Sequence, residues 1–159
     1  MSVAVDVRVG PAALADAGEL FTVQRAAYVA EAQLYTAHIP PLRETLDHVR
    51  ADLADPAVLV FAAWLGGRLV GSVRGRPDGD RMEIARFSVA PDMQGRGIGR
   101  ALLTTVESAV PPGIRVLWLR TGANSEANLR LYERAGYRLA GHDVDDAGVR
   151  VAYLEKPIG

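Results

Sequence analysis

The run Gln94-Gly95-Arg96-Gly97-Ile98-Gly99-Arg100 gathers three glycines and two arginines into seven residues, a composition suited to holding an anion. Glycines put no β-carbons in a ligand's way. The N–H groups of Gly95, Gly97, Gly99 and their neighbours can therefore face phosphate oxygens, while Arg96 and Arg100 add full positive charge. A strand-like run with Met82, Ile84 and Val89, closed by Ala90-Pro91, precedes this loop. A helix-like run follows it, with Ile98, Ala101, Leu102, Thr105, Val106 and Ala109 spaced by three and four, so the positive end of the helix points at the loop. The spacing argues against two nucleotide sites. A P-loop needs Lys-Ser or Lys-Thr after its second glycine, where this chain has Ile98-Gly99. The dinucleotide fingerprint needs Gly-x-Gly-x-x-Gly early in a βαβ unit with an acidic residue about 20 positions on. The bland alternative is a glycine-rich turn that binds nothing.

Two further sets of residues carry reactive groups. Ser125, Asn128 and Tyr132 are spaced by three and four, so one helical face can present a hydroxyl, an amide and a phenol. The structural alternative packs Tyr132 into the core and uses Asn124 or Ser125 as a helix cap. Glu83 lies on the strand that leads to the glycine loop, where alternation places Glu83, Ala85, Phe87 and Val89 on one face. It reads equally as a general base or as a surface carboxylate. Arg86 reads as a solvated strand arginine, the alternative being a contact that supports the site or meets an acceptor carboxylate, and Met82, Trp64 and Trp118 read as core or interface residues.

The elements that must position these groups are legible as follows. Alternating Val3, Val5, Val7 and Val9 predict a first strand, and Pro11 predicts a helix start with Leu14, Leu20, Phe21, Ala27 and Tyr28 running toward Ala32. Ile39-Pro40-Pro41 breaks that helix, and a second follows from Leu42 to Leu53 before Asp55-Pro56. Strands at Val58 to Leu65 and Arg68 to Arg76 flank Gly66-Gly67, the signal of a tight hairpin. After the turn at Pro77-Asp78-Gly79-Asp80 come the strand Arg81 to Val89, the helix ended by Pro111-Pro112-Gly113, and a buried strand at Val116 to Leu119. A helix from Ser125 to Ala135 stops at Gly136. Strands at Tyr137 to Ala140 and Val149 to Glu155 close the chain around an acidic loop from His142 to Asp146. This order predicts an α+β (mixed α/β) fold with one twisted mixed sheet, mostly antiparallel, and helices on both faces.

Composition narrows the function classes. The 159 residues suit one domain, 1–159, with a core large enough to fold independently. A net charge of −1 with scattered basic residues gives no stripe for nucleic acid or for a membrane surface. The longest apolar run, Ala57 to Leu65, is too short to span a bilayer, and the N-terminus reads as a strand instead of a signal segment, so a cytoplasmic location is expected. The absence of cysteine removes disulfides, thiolate zinc sites and a cysteine nucleophile. His38, His48 and His142 lack ligand spacing, so no metal is expected.

With Gln94, Gly97 and Gly99 in a Gln-x-x-Gly-x-Gly pattern and Leu131-Tyr132-Glu133-Arg134-Ala135-Gly136-Tyr137 downstream, the chain resembles the GNAT superfamily of acyl-CoA-dependent N-acyltransferases. The resemblance is sharp from Val58 to Leu154 and weak before it. It implies a V-shaped splay between the strands Arg81 to Val89 and Arg115 to Arg120, with acetyl-CoA as acyl donor lying in the splay. By this resemblance Gln94, Gly95, Arg96, Gly97, Ile98, Gly99 and Arg100 cradle the pyrophosphate, and the backbone of Phe87, Ser88 and Val89 pairs with the pantetheine arm. Tyr132 is implied as the acid that protonates the departing thiolate, and Glu83 as the base, with Glu31 or a water chain as the alternative. The family pattern has an asparagine seven residues before the tyrosine, where this chain has Ser125, so Ser125 or Asn128 takes over that contact. With no cysteine to carry an acyl group, direct transfer to a small-molecule or peptide amine is expected. The region of Glu31, Tyr35 and His38 before Ile39-Pro40-Pro41 is the expected acceptor side. The rival expectations are a non-catalytic acyl-CoA-binding module and, more remotely, a dinucleotide-dependent oxidoreductase. Family members often form homodimers through their closing strands.

Overall fold

The computed structural model describes residues 6–33, 40–146 and 148–159. Its strands are β1 (Val7–Pro11), β2 (Leu59–Leu65), β3 (Arg68–Asp78), β4 (Arg81–Val89), β5 (Val116–Gly122), β6 (Arg138–Val144) and β7 (Arg150–Pro157). The helices are α1 (Ala17–Ala32), α2 (Pro40–Arg43), α3 (Leu46–Ala54), α4 (Ile98–Ser108) and α5 (Glu126–Arg134). The strands pair in the order β1-β2-β3-β4-β5-β7-β6, and only β4 and β5 run parallel. Parallel neighbours need a crossover, and α4 supplies it directly after β4. The mixed, mostly antiparallel sheet of the sequence reading is thus the observed one.

Each face of the sheet is covered by an apolar helix surface. Ile98, Leu102, Leu103 and Val106 of α4 pack with Val73, Met82, Ile84, Leu117, Leu119 and Leu154. On the other face Ala17 and Leu20 of α1 and Val49 of α3 pack with Val60, Ala62, Trp64 and Leu69. Gly71 and Gly75 leave room for α4: a β-carbon at Gly71 would sit 2.8 Å from the Ser88 carbonyl oxygen and 3.0 Å from Leu102, and one at Gly75 would sit 3.2 Å from Val106.

Local chemistry moves several predicted boundaries. Pro11 ends the edge strand β1, where its missing N–H costs no ladder bond, and α1 begins only at Ala17. The single helix expected from Leu42 to Leu53 is two. Proline is favoured in a first helical turn, so Pro40 and Pro41 open α2, and Thr45 caps α3 by accepting the His48 N–H at 3.3 Å. His142, Asp143 and Val144, expected in a loop, extend β6 along β7.

Between the sheet and α1 and α3 lies a buried charge network. The Arg74 side chain, 1% exposed, donates to both carboxylate oxygens of Glu44, at 2.6 and 3.1 Å. It also donates to Gln24 at 2.8 Å and to Asp52 at 2.8 Å, and Asp52 accepts from Arg76 at 2.9 Å. Glu44 further accepts from the Gln24 amide and from Nε of Arg86, both at 3.0 Å. Burial would raise the Glu44 pKa, but hydrogen bonds from Arg74 and Gln24, the Arg74 charge and the Arg86 hydrogen bond outweigh it and hold it at about 2.

Because this pKa lies below the ordinary 4.5, Glu44 contributes stability that is complete above pH 4.5 and lost as pH falls from 4.5 toward 2. Urea unfolding followed across that window is expected to show the loss in the native protein and a flatter profile in Glu44→Gln. Glu44→Ala leaves Arg74 buried without its main partner and is expected to cost about 3–5 kcal/mol.

Candidate active site

The sheet opens at its centre. β4 and β5 are in register only at Arg81, Met82 and Glu83, opposite Val116, Leu117 and Trp118. Beyond Glu83 the edge of β4 that faces β5 has no strand partner, which is the splay implied by the resemblance. A β-bulge sits in the same stretch. Between the pairs Ser72–Ser88 and Arg74–Ala85, Val73 alone stands opposite Arg86 and Phe87, and Arg86 has φ 50°. The extra residue resets alternation, which corrects the expectation that Glu83, Ala85, Phe87 and Val89 share a face. Glu83 and Ala85 lie on the α1 face with Arg74, whereas Phe87 packs against Gly99 and Tyr132 on the α4 and α5 side, as Val89 does in the α4 core.

The opening forms a cleft of about 460 Å³. Tyr28 and Glu31 of α1, Glu83 to Phe87 of β4, Arg120 to Gly122 of β5, and Asn128 and Tyr132 of α5 line it. Asp143, Val144, Asp145 and Asp146 at the end of β6, with Val149, Val151 and Tyr153, complete its rim. Tyr28 and Glu31 are three apart and share a helical face, a signal the sequence reading used only for Glu31.

Aromatic rings and two carboxylates, Glu31 and Glu83, set the chemistry at the centre. The buried Tyr132 ring meets Phe87 edge-on at 5.8 Å and Tyr137 edge-on at 6.1 Å. Burial, then Tyr28 and the charge of Glu31, raise the Tyr132 pKa well above the ordinary phenol value, so Tyr132 keeps its proton at neutral pH. Tyr28 donates its hydroxyl to the Phe87 carbonyl at 2.8 Å. Burial raises its pKa to about 12 against the lowering effect of Arg86, and Glu31 raises it too. The buried Ser125 begins α5 but makes no side-chain cap. Its hydroxyl donates to Glu31, tying α5 to α1. Glu83 is paired with Arg120 at 3.5 Å. Arg86, expected in solvent, is only 22% exposed and held by Glu44.

The glycine loop fits an anion. Gly95 and Gly97 have φ of 75° and 80°, and a β-carbon at either would meet nothing within 4 Å, so both face open space. Gly97 begins α4, whose first N–H groups, on Ile98, Gly99 and Arg100, have no partner within the helix. Arg96 and Arg100 are exposed beside them. Three of the expected contact residues present backbone alone. The Ile98 and Val89 side chains are core, and Ser88 Oγ lies 3.1 Å from Ser72 Oγ. Gln94 turns back, donating its amide to the Val89 carbonyl at 3.0 Å and fastening the loop to the end of β4. Tyr35, His38 and Ile39 lie outside the described residues. Among the described residues no cluster of three or more His, Cys, Asp or Glu is arranged to hold a metal ion, and no helix is long and apolar enough to cross a membrane.

Comparison with known proteins agrees with this geometry. Residues 23–137 match the model of the acetyltransferase (GNAT) family. The chain is 31% identical over 147 residues to mycothiol acetyltransferase of Propionibacterium freudenreichii, covering 86% of this chain and 45% of that protein. It is 34% identical over 99 residues to mycothiol acetyltransferase of Clavibacter michiganensis, covering 62% of this chain and 32% of that protein. The chain thus spans less than half the length of these relatives. In fold it is similar to PaiA N-acetyltransferase of Thermoplasma acidophilum in complex with coenzyme A, with a TM-score of 0.82 at 17% identity over 99% of this chain and 100% of that one. The ribosomal-protein-S18-alanine N-acetyltransferase of Escherichia coli gives a TM-score of 0.78 at 20% identity, covering 96% and 94%.

Two substitutions probe the construction of the cleft. A β-carbon at Gly99 would lie 2.7 Å from Phe87 Cζ, so Gly99→Val is expected to push the ring toward Tyr132 and destabilise by about 1–3 kcal/mol in urea unfolding. Tyr28→Phe removes the donor to the Phe87 carbonyl and is expected to cost about 1–2 kcal/mol by the same measurement.

Proposed function

Since the chain belongs to the acetyltransferase (GNAT) family, we propose that it transfers an acetyl group from acetyl-CoA directly to a primary amine, on a small molecule or a peptide. The observation that carries this reading is the unpaired edge of β4 at Phe87 to Val89, between a glycine-rich anion cradle at one end and a protonated buried phenol at the other. Such a cosubstrate supplies a thioester whose carbonyl a neutral amine attacks, with the coenzyme thiolate as leaving group.

The loop amides of Ile98, Gly99 and Arg100, with the Arg96 and Arg100 guanidiniums, would bind the pyrophosphate. Backbone groups of Phe87, Ser88 and Val89 would bind the amides of the pantetheine arm as an added strand pairs with a sheet edge. Asn128 faces the same cleft and supplies an amide for that arm. Ser125, turned to Glu31, serves it indirectly by fixing the start of α5. Tyr132 gives its proton to the sulfur as the C–S bond breaks. Glu83, directly or through water, takes the proton that the amine nitrogen loses as the new C–N bond forms. Holding both reactants in one cleft makes the transfer effectively unimolecular. On this reading residues 1–159 act as a single transferase domain in the cytoplasm, without a metal.

Calorimetric titration with acetyl-CoA tests the cosubstrate, with NAD and ATP as controls. Saturable binding of acetyl-CoA alone is expected, abolished when Gly97 and Gly99 are both replaced by valine. Tyr132→Phe is expected to lower kcat by about 10²–10⁴-fold while leaving the dissociation constant for acetyl-CoA within a few-fold. Unchanged turnover would remove Tyr132 from the mechanism. Binding without transfer to any amine would favour an acyl-CoA-binding module.

A further inference from the structure

Tyr137, Glu107 and Lys156 form a largely buried cluster that takes no part in the transfer steps described above. The hydroxyl of Tyr137, 1% exposed, donates to Oε2 of Glu107 at 2.6 Å, and Nζ of Lys156 donates to Oε1 at 3.0 Å. The carboxylate is thus held at both oxygens, by a phenol at one and a counter-ion at the other. Lys156 also lies over the Tyr137 ring, 5.6 Å from its centre. Burial, then the hydrogen bond to Glu107 and its charge, push the Tyr137 pKa far above the ordinary phenol value, so this hydroxyl stays a donor.

The cluster bears on Tyr132 through backbone and ring together. Gly136, at φ 100°, turns the chain back after α5, and the Tyr137 N–H donates to the Tyr132 carbonyl at 3.0 Å. The two rings meet edge-on at 6.1 Å, and Tyr132 meets Phe87 in the same manner at 5.8 Å. Phe87 in turn abuts Gly99, where a β-carbon would lie 2.7 Å from its Cζ. One helix therefore bounds the row of three rings, at Gly99 in the first turn of α4 and at Glu107 in its last. An edge-on pair sets direction as well as distance, because the edge of one ring must meet the face of the other. Anchoring the Tyr137 ring at its hydroxyl fixes the surface that Tyr132 rests on.

We propose that Glu107 is a positioning residue for acetyl transfer: by holding the Tyr137 hydroxyl it fixes the ring beside Tyr132 and so aims the Tyr132 hydroxyl at the departing sulfur. The proposal rests on the reading of Tyr132 as the acid. Glu107 and Tyr137 do not line the cleft, so Glu107 acts only through the rings. Misplacing a reacting group by about 1 Å costs as much as 10²-fold in rate, which is why a small rotation of the phenol matters.

The chain has five tyrosines, so carbon-13 labelling of the tyrosine rings gives a simple spectrum in which the signal lost in Tyr132→Phe identifies Tyr132 without any turnover. That signal is expected to shift in Glu107→Ala and in Tyr137→Phe, which keeps the ring but not its anchor, and to return to its native position in Glu107→Gln, whose amide oxygen still accepts. A Tyr132 signal that Glu107→Ala leaves unmoved would overturn the proposal. Turnover is read as thiol release from acetyl-CoA, against a protein with no cysteine of its own, with whichever of n-butylamine, tyramine and glycine amide the native protein acetylates fastest. Glu107→Ala is expected to lower kcat about tenfold with KM for acetyl-CoA within about twofold, and to have no further effect once Tyr132→Phe is present. An equal further loss in Tyr132→Phe, or a KM that rises as kcat falls, marks general damage to α4 and would also overturn it. Turnover that Tyr132→Phe leaves unchanged refutes the acid and the role of Glu107 with it, whereas turnover that needs Tyr132 but not Glu107 refutes Glu107 alone.

Discussion

Arg86 holds φ at 50° in the middle of β4, a backbone state that costs a non-glycine residue about 1–3 kcal/mol and lasts only where its surroundings hold it in place. Three of its surroundings do so. Glu44 accepts from the Arg86 guanidinium, Tyr28 donates to the Phe87 carbonyl, and β3 is registered against β4 on both sides of the bulge. The kink turns Phe87 from the face of Glu83 to the face of Tyr132 and brings its ring against Gly99 at the start of α4. One residue of backbone thus brings the carboxylate face, the phenol and the start of α4 to the same stretch of β4. It also explains why the charge network lies where it does, since Glu44 must be buried and ionised to hold Arg86.

The glycine loop and the phenol are built on different physics. At the glycine loop backbone amides and exposed arginine side chains border open space, which suits a highly charged, hydrated group such as a pyrophosphate. At Tyr132 three aromatic rings exclude water, and burial keeps the phenol protonated. Between them runs the edge of β4 that has no strand partner beyond Glu83, for which an extended chain of amides is a natural complement. Glu31 of α1 accepts from Ser125 at the start of α5, so the helix that carries the phenol is anchored to the helix that clamps the kink.

The sequence showed the architecture because strand runs, the Gly66-Gly67 hairpin and the α4 stripe obey local rules that the packing reinforces. It showed a glycine loop opening a helix, with Gly95 and Gly97 at positive φ, because glycine spacing at a helix start has a direct backbone meaning. It did not show the bulge. Nothing in the types of Arg86 and Phe87 marks a left-handed residue, so simple alternation placed Phe87 and Val89 on the wrong face. Arg86 reads as solvated because its partner Glu44 lies 42 positions away in the chain, beyond the reach of periodicity. Trp118 reads as a core or interface residue because the run Val116 to Leu119 is apolar throughout, whereas the strand fully buries only Leu117 and Leu119. The role of Tyr28 as a clamp on β4 likewise depends on tertiary approach alone.

If the kinked stretch of β4 and the first turn of α4 together hold an acyl-CoA, backbone amide resonances followed during titration with acetyl-CoA shift saturably at Phe87, Ser88 and Val89 and at Ile98, Gly99 and Arg100, all with one dissociation constant. Binding that leaves those six amides unmoved, or no binding at all, would contradict it.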